Sequence, residues 1–176
     1  MGHDKQRFQH LFDLSNDHRA AHGETCHVYP SPQAGQWAAL AAVFSVERVL
    51  EIGCGLGYQA VCIAEAAAGC RVETIENDSE HADLAAAQIS LLGFADRIKI
   101  IRGDAESIMP NLKGPYDLVI EDAGVDYSRW LPVLTRLTRP GGLLITRNLS
   151  EHIPDWERQL PMQAITIVRS RPIDQT

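Results

Sequence analysis

From Val49 onward, short apolar runs alternate with longer segments whose apolar residues recur three or four positions apart. Stretches 49–53, 71–76, 98–103, 116–121 and 143–147 read as strands buried on both faces. Between them the pattern predicts helices over 57–68, 79–92, 105–111 and 127–138, with a Pro140-Gly141-Gly142 turn before the last strand. In helix 79–92, Ser79 is placed to cap, Leu84, Ile89, Leu91 and Leu92 to be buried, and Gly93 to terminate. Strands that alternate with helices imply right-handed crossovers. The expected fold class is α/β, a Rossmann-like doubly wound, mostly parallel sheet flanked by helices.

Ahead of the sheet, residues 4–22 read as a polar amphipathic helix carrying Phe8, Leu11, Phe12 and Leu14. Pro30 and Pro32 interrupt the chain, and 34–44 then forms an Ala-rich helix with Trp37. The tail suits a short helix over 151–159 and a strand over 164–170. Nothing divides the chain into repeats or linkers, and 176 residues with 45% hydrophobic content suit one core.

A formal net charge of −7 argues against a broad phosphate-binding face, so a nucleic-acid partner is disfavoured. Arg129, Arg136 and Arg139 could make a local basic patch, but a solvated helix face is the simpler reading. There is no run of 18 apolar residues, hence no predicted membrane span. The start, MGHDKQRF, lacks a secretory apolar core and a myristoylation serine, so a cytoplasmic location is expected. Cys26, Cys54, Cys62 and Cys70 form no C-x-x-C pair and read as small apolar fillers, with neither a disulfide framework nor a structural zinc indicated.

The chemistry concentrates in VLEIGCGLGYQA, Val49 to Ala60, where a strand breaks into Gly53, Gly55 and Gly57 before a helix resumes. Such a turn brings backbone close to a ligand. A dinucleotide G-x-G-x-x-G would need glycine where Tyr58 stands, which disfavours a pyrophosphate and hence a nicotinamide reductase. Glu76 follows Gly53 by 23 residues at the end of the next strand, the reach from which an acid accepts from ribose hydroxyls. Asp104 and Asp122 close the next two strands. One acid after a strand is commonly a helix cap, but Glu51, Glu76, Asp104 and Asp122 recur at the carboxyl edge of the sheet, where open α/β folds bind ligands.

The short G-C-G-L-G turn preceded by Glu51 resembles motif I of the class I methyltransferases that use S-adenosylmethionine. More narrowly, from about His27 to Leu149 the chain resembles the bacterial relatives of catechol and caffeoyl-CoA O-methyltransferases, through SPQAGQ, VLEIGCGLGYQA, TIEND, DRIKIIRGDA, YDLVIEDA and RPGGLLITRN. The resemblance implies that Glu51, Gly53, Gly55 and Tyr58 line the methionine end of the cofactor, that Glu76 with Asn77 holds the ribose, and that Asp104 and Ala105 meet the adenine. Asp122 falls on the family's first metal-ligand aspartate, near the methionine moiety. The implied organisation is one methyltransferase domain: cap helices over 1–46, a cofactor-binding core over 47–150 and an abbreviated part over 151–176. A homodimer is implied as well.

The chain departs from that family opposite the glycine turn. Where members carry an Asp-Asn pair it has Arg147-Asn148, and Val125 stands where a general-base lysine is usual. A guanidinium 4 Å from a divalent ion costs roughly 8 kcal/mol at an effective dielectric of 20, so no metal is expected at that site. Glu121 and Asp122 point to opposite faces of their strand and cannot easily share an ion, while Asp126 is placed to cap the following helix. Arg147 instead suits an anionic acceptor held near the sulfonium, or an ion pair with Asp122 or Glu121. For a general base, His27 precedes the segment expected over the cofactor, and His152 follows the fifth strand. His18 and His22 share a helix face but lack a third metal-spaced partner, and read as solvated residues.

The expected function is S-adenosylmethionine-dependent O-methylation of a small molecule without a divalent metal, with Asp122, Arg147, Asn148 and His27 as candidate catalytic residues. The alternatives are a tRNA-modifying methyltransferase and a cofactor-binding protein that has lost catalysis.

Overall fold

A computed structural model describes residues 8–146 and 166–169. β1 (Arg48–Ile52), β2 (Arg71–Glu76), β3 (Ile98–Arg102), β4 (Tyr116–Glu121), β5 (Thr138–Thr146) and β6 (Thr166–Arg169) form one sheet in the order β3-β2-β1-β4-β5-β6. Every neighbouring pair is parallel. The chain winds outward from β1 to β3 and then in the other direction from β4, so a crevice opens where the strand order reverses between β1 and β4.

Strand residues alternate between two cores, as the pleat requires. Val49, Leu118, Ile120, Leu143 and Ile145 pack on one face under Leu11 and Trp37 of the N-terminal helices α1 (Gln9–His22) and α2 (Ala34–Val43). The same layer includes Val61 and Ile63 of α3 (Tyr58–Ala66) with Ala85 and Ile89 of α4 (Ser79–Leu91). Leu50, Ile52, Val119 and Leu144 face the other way, against Trp130, Leu134 and Leu137 of α6 (Tyr127–Leu137). Beside them a short α5 (Ala105–Ile108) runs into a 3-10 turn, Met109–Asn111. Among the described residues no helix is long and apolar enough to cross a membrane.

Several local expectations are corrected. Asp78, not Ser79, caps α4, accepting from the amides of Glu80 and His81, and Leu91 lies 77% exposed while Ala82, Ala85 and Ile89 are buried. Ala85 and Ile89 meet the start of α3 at Gly57, where a Cβ would stand 3.7 and 3.3 Å from them. The Pro140-Gly141-Gly142 turn is instead a bulge inside β5: Tyr116 pairs with Thr138, but two residues later Leu118 pairs with Leu143. A Cβ on Gly142 would stand 2.9 Å from the carbonyl oxygens of Arg139 and Asp117, so the bulge tolerates only glycine there. The helix expected over 151–159 lies outside the described residues, whereas the tail strand is found as β6.

Candidate functional site

A cavity of about 860 Å³ lies over the carboxyl ends of β1 to β4, roofed by the segment from His27 to Pro32. Its floor comes from residues after each strand: Gly53 to Leu56, Glu76 to Asp78, Gly103 to Glu106 and Asp122 to Val125. Ser15, Asn16 and Arg19 of α1 close one side.

The three turn glycines answer different constraints. A Cβ on Gly53 would meet backbone atoms of Asp122 and Ala123 at 3.2–3.3 Å, so this glycine lets the β1 and β4 loops touch. Gly57 caps α3 at φ +88° and lies against Ile89 of α4. Gly55 has only Val28 nearby, at 3.7 Å, and faces the cavity.

Glu76 is the best-prepared acid. Its Oε2 accepts from the Gly55 amide at 2.8 Å and its Oε1 from the Asp78 amide at 2.9 Å. Each carboxylate oxygen accepts about two hydrogen bonds, so one site on each remains for a pair of vicinal hydroxyls. Asp104 caps α5 through the Ser107 amide at 3.0 Å and the Ser107 hydroxyl at 2.7 Å, and it also lines the cavity with Ala105. The hydrogen bond from the Ser107 side chain holds its pKa below the usual value. Asn77, Asp122, Tyr58 and His27 also line the cavity, with Tyr58 packed edge-on against Phe12.

Glu51 corrects the expectation of a cavity-lining acid. It lies fully buried behind the turn and outside the lining, accepting from Gln59 Nε2 and from Thr74, its cross-strand partner on β2. Burial pushes its carboxyl up to about 8. Glu121, one strand over, was not foreseen as an anchor. Its Oε1 accepts from the amides of Ala123, Gly124 and Val125 and shapes the loop that carries Asp122. Burial pushes Glu121 up to about 7, even though three amide donors favour its charged form. A buried acid just before a Gly-containing loop was the available signal.

Arg147, Asn148 and His152 lie outside the described residues. Arg129 pairs with Glu106, Arg136 donates to the carbonyls of Met109, Pro110 and Leu112, and Arg139 pairs with Asp117. These three arginines serve intramolecular partners and form no open basic patch. His18 and His22 do have the further partners that their spacing lacks: ring centroids stand 4.1 Å apart, and the His18 ring meets that of His81 at 5.1 Å. Partial burial, with His22 and His81 nearby, keeps the His18 pKa below its ordinary value.

An open parallel sheet with an acid-lined crevice at the reversal of strand order defines a Rossmann-like ligand-binding α/β protein. The chain belongs to the O-methyltransferase family, whose family model matches residues 11–153. It is 35% identical over 126 residues to a catechol O-methyltransferase of Mycobacterium tuberculosis, an alignment covering 68% of this chain and 56% of that protein. Against a protein-L-isoaspartate O-methyltransferase of Hyperthermus butylicus it is 31% identical over 140 residues, covering 72% and 54% respectively. Among solved structures, the O-methyltransferase TomG of Streptomyces achromogenes, involved in tomaymycin synthesis and in complex with SAM, superposes with a TM-score of 0.67 at 28% identity, over 76% of this chain and 62% of that one. The chain spans a little over half the length of these curated relatives.

Proposed function

We propose that the protein is an S-adenosylmethionine-dependent O-methyltransferase acting on a small molecule. The observation that carries this reading is the charge of the cavity. Among the described residues, five carboxylates, Glu76, Asp78, Asp104, Glu106 and Asp122, line it against one guanidinium, that of Arg19, and no lysine. At about 6 Å and an effective dielectric of 20, each like-charge pair costs about 3 kcal/mol, which disfavours a pyrophosphate ligand. A ligand with a ribose diol, a sulfonium and an ammonium suits the same surroundings.

Bound there, the cofactor would supply an electrophilic methyl group. Glu76 and Asn77 would hold its ribose, Asp104 and Ala105 its adenine edge, and the Gly53 to Gly55 backbone with Tyr58 and Asp122 its methionine end. Glu51 ties Gln59 of α3 to Thr74 of β2 beneath the turn, while Glu121 fixes the Asp122 loop through its backbone amides. The exposed His27 faces the cavity and is placed to take the acceptor's hydroxyl proton as a general base. Arg147 and Asn148, which follow β5, are assigned to orient an anionic acceptor, so that catalysis rests on positioning and on stabilising the ionised nucleophile. The family resemblance further implies a homodimer.

The test is methyl transfer from S-adenosylmethionine to a catechol in buffer with no added magnesium. The expected result is transfer that magnesium does not enhance and that Arg147→Ala reduces at least a hundredfold with cofactor affinity unchanged; a strict magnesium requirement would overturn the metal-free reading.

A further inference from the structure

A second cluster of chemically capable side chains lies beside the cavity, where α1, the segment after it and the start of α4 meet. Ligand atoms of His18, Cys26 and His81 all lie within 4.8 Å of one another, and His18, His22 and Glu80 form a second such group that shares His18. Cys26 Sγ and His81 Nε2 stand 3.8 Å apart. Metal–sulfur and metal–nitrogen bonds of about 2.3 and 2.05 Å at a tetrahedral angle put the two ligand atoms about 3.5 Å apart. The pair is therefore within a few tenths of an ångström of chelating distance, and the backbone need not move.

The surrounding groups favour the same use. His81 Nδ1 lies 3.9 Å from Glu76 Oε1 and 4.0 Å from Asp78 Oδ1, so the carboxylates attract the proton to Nδ1 and leave the Nε2 lone pair facing Cys26 Sγ. Such a carboxylate behind a ligating histidine sets its tautomer and raises its basicity. His22 Nδ1 hydrogen-bonds the His18 carbonyl at 2.8 Å, which leaves its Nε2 lone pair available. Thiolate with imidazole selects zinc over magnesium or calcium, which prefer oxygen.

We propose that His18, Cys26 and His81 bind a zinc-class divalent ion, with the fourth position taken by solvent. The ion would staple α1 and the segment carrying Cys26 to α4, next to Glu76. Cys26 precedes the cavity-lining His27 and Val28, so metal occupancy would hold the roof of the cofactor cavity closed. The site is separate from Asp122 and needs no part of the proposed catalytic chemistry.

Cobalt titration of the full, reduced chain tests this directly. One ion per chain should bind with a near-ultraviolet thiolate-to-cobalt band and the visible bands of a tetrahedral centre, and zinc should displace it. Cys26→Ser should abolish the thiolate band and weaken binding at least a hundredfold, His81→Ala should weaken it comparably, and Asp122→Asn should leave it unchanged. Zinc at a hundredfold excess over its Kd should raise the melting midpoint by about 5–10 °C. Should Cys26→Ser not fold, His18→Gln, on a more exposed ligand, carries the same prediction of weakened binding. Binding that survives Cys26→Ser and His81→Ala but disappears in His22→Ala would be surface chelation on α1 and would overturn the proposal, as would absence of binding by the folded wild type.

Discussion

Glu51 and Glu121 are buried carboxyls on adjacent strands; Glu51 links Gln59 of α3 to Thr74 of β2, and Glu121 holds the loop that carries Asp122 to the cavity. Their orientation is what sequence could not supply. Strand period places Glu51 on one face of the sheet, but whether that face is open at this height depends on how closely α3 and β2 approach, and Gln59 with Thr74 closes it. Glu76 and Asp104 were legible because each stands just beyond or at a strand end, where the edge of the sheet itself is the binding surface. A carboxyl whose folded pKa exceeds its unfolded value binds its proton more tightly in the native state. Glu51, raised from 4.5 to about 8, therefore stabilises the fold fully below about pH 4.5 and progressively loses that contribution as pH rises through 8. Glu51→Gln keeps the neutral shape, so its melting midpoint should exceed that of the wild type at pH 8.5 and match it near pH 4. Melting curves across that range check the sign, and a wild-type advantage that grows with pH would refute it.

The glycine turn shows what an element adds to its residues. Spacing marked Gly53, Gly55 and Gly57 as one motif, yet Gly57 belongs to the α3–α4 contact and only Gly53 and Gly55 reach the cavity. Gly57→Ala should cost about 2 kcal/mol through its left-handed φ and its contact with Ile89, lowering the melting midpoint by roughly 4–8 °C. Its cofactor affinity should stay within a few-fold of wild type, whereas Gly55→Ala should weaken cofactor binding more than it affects melting. Thermal melts beside cofactor titrations separate the two, and the reverse pattern would show the assignments to be exchanged. Caps and packing were less legible than periodicity: Asp78 displaced Ser79 because it alone stands before the first turn with a side chain that reaches two amides. The His18, Cys26 and His81 cluster was invisible to spacing because its ligands come from three separate elements, with 55 residues between Cys26 and His81.

At the scale of the molecule, the parallel sheet followed from the alternation of apolar runs with helices, since right-handed crossovers leave few other arrangements, whereas the reversal of strand order between β1 and β4 is visible only in the folded sheet. The β5 bulge did not, because Pro-Gly-Gly commonly ends an element and only the partner strand reveals that pairing resumes beyond it. The central claim is that the acid-lined crevice holds S-adenosylmethionine, and Glu76 is the residue through which it is most directly exposed to failure. Two hydroxyls on one carboxylate are worth about 1.5–3 kcal/mol, so Glu76→Ala should weaken binding about 10- to 150-fold. The measurement is calorimetric titration of the folded protein with S-adenosylmethionine and with S-adenosylhomocysteine. The account predicts that both bind the wild type one to one and that Glu76→Ala binds each at least tenfold more weakly; binding of neither, or equal affinity in Glu76→Ala, would contradict it.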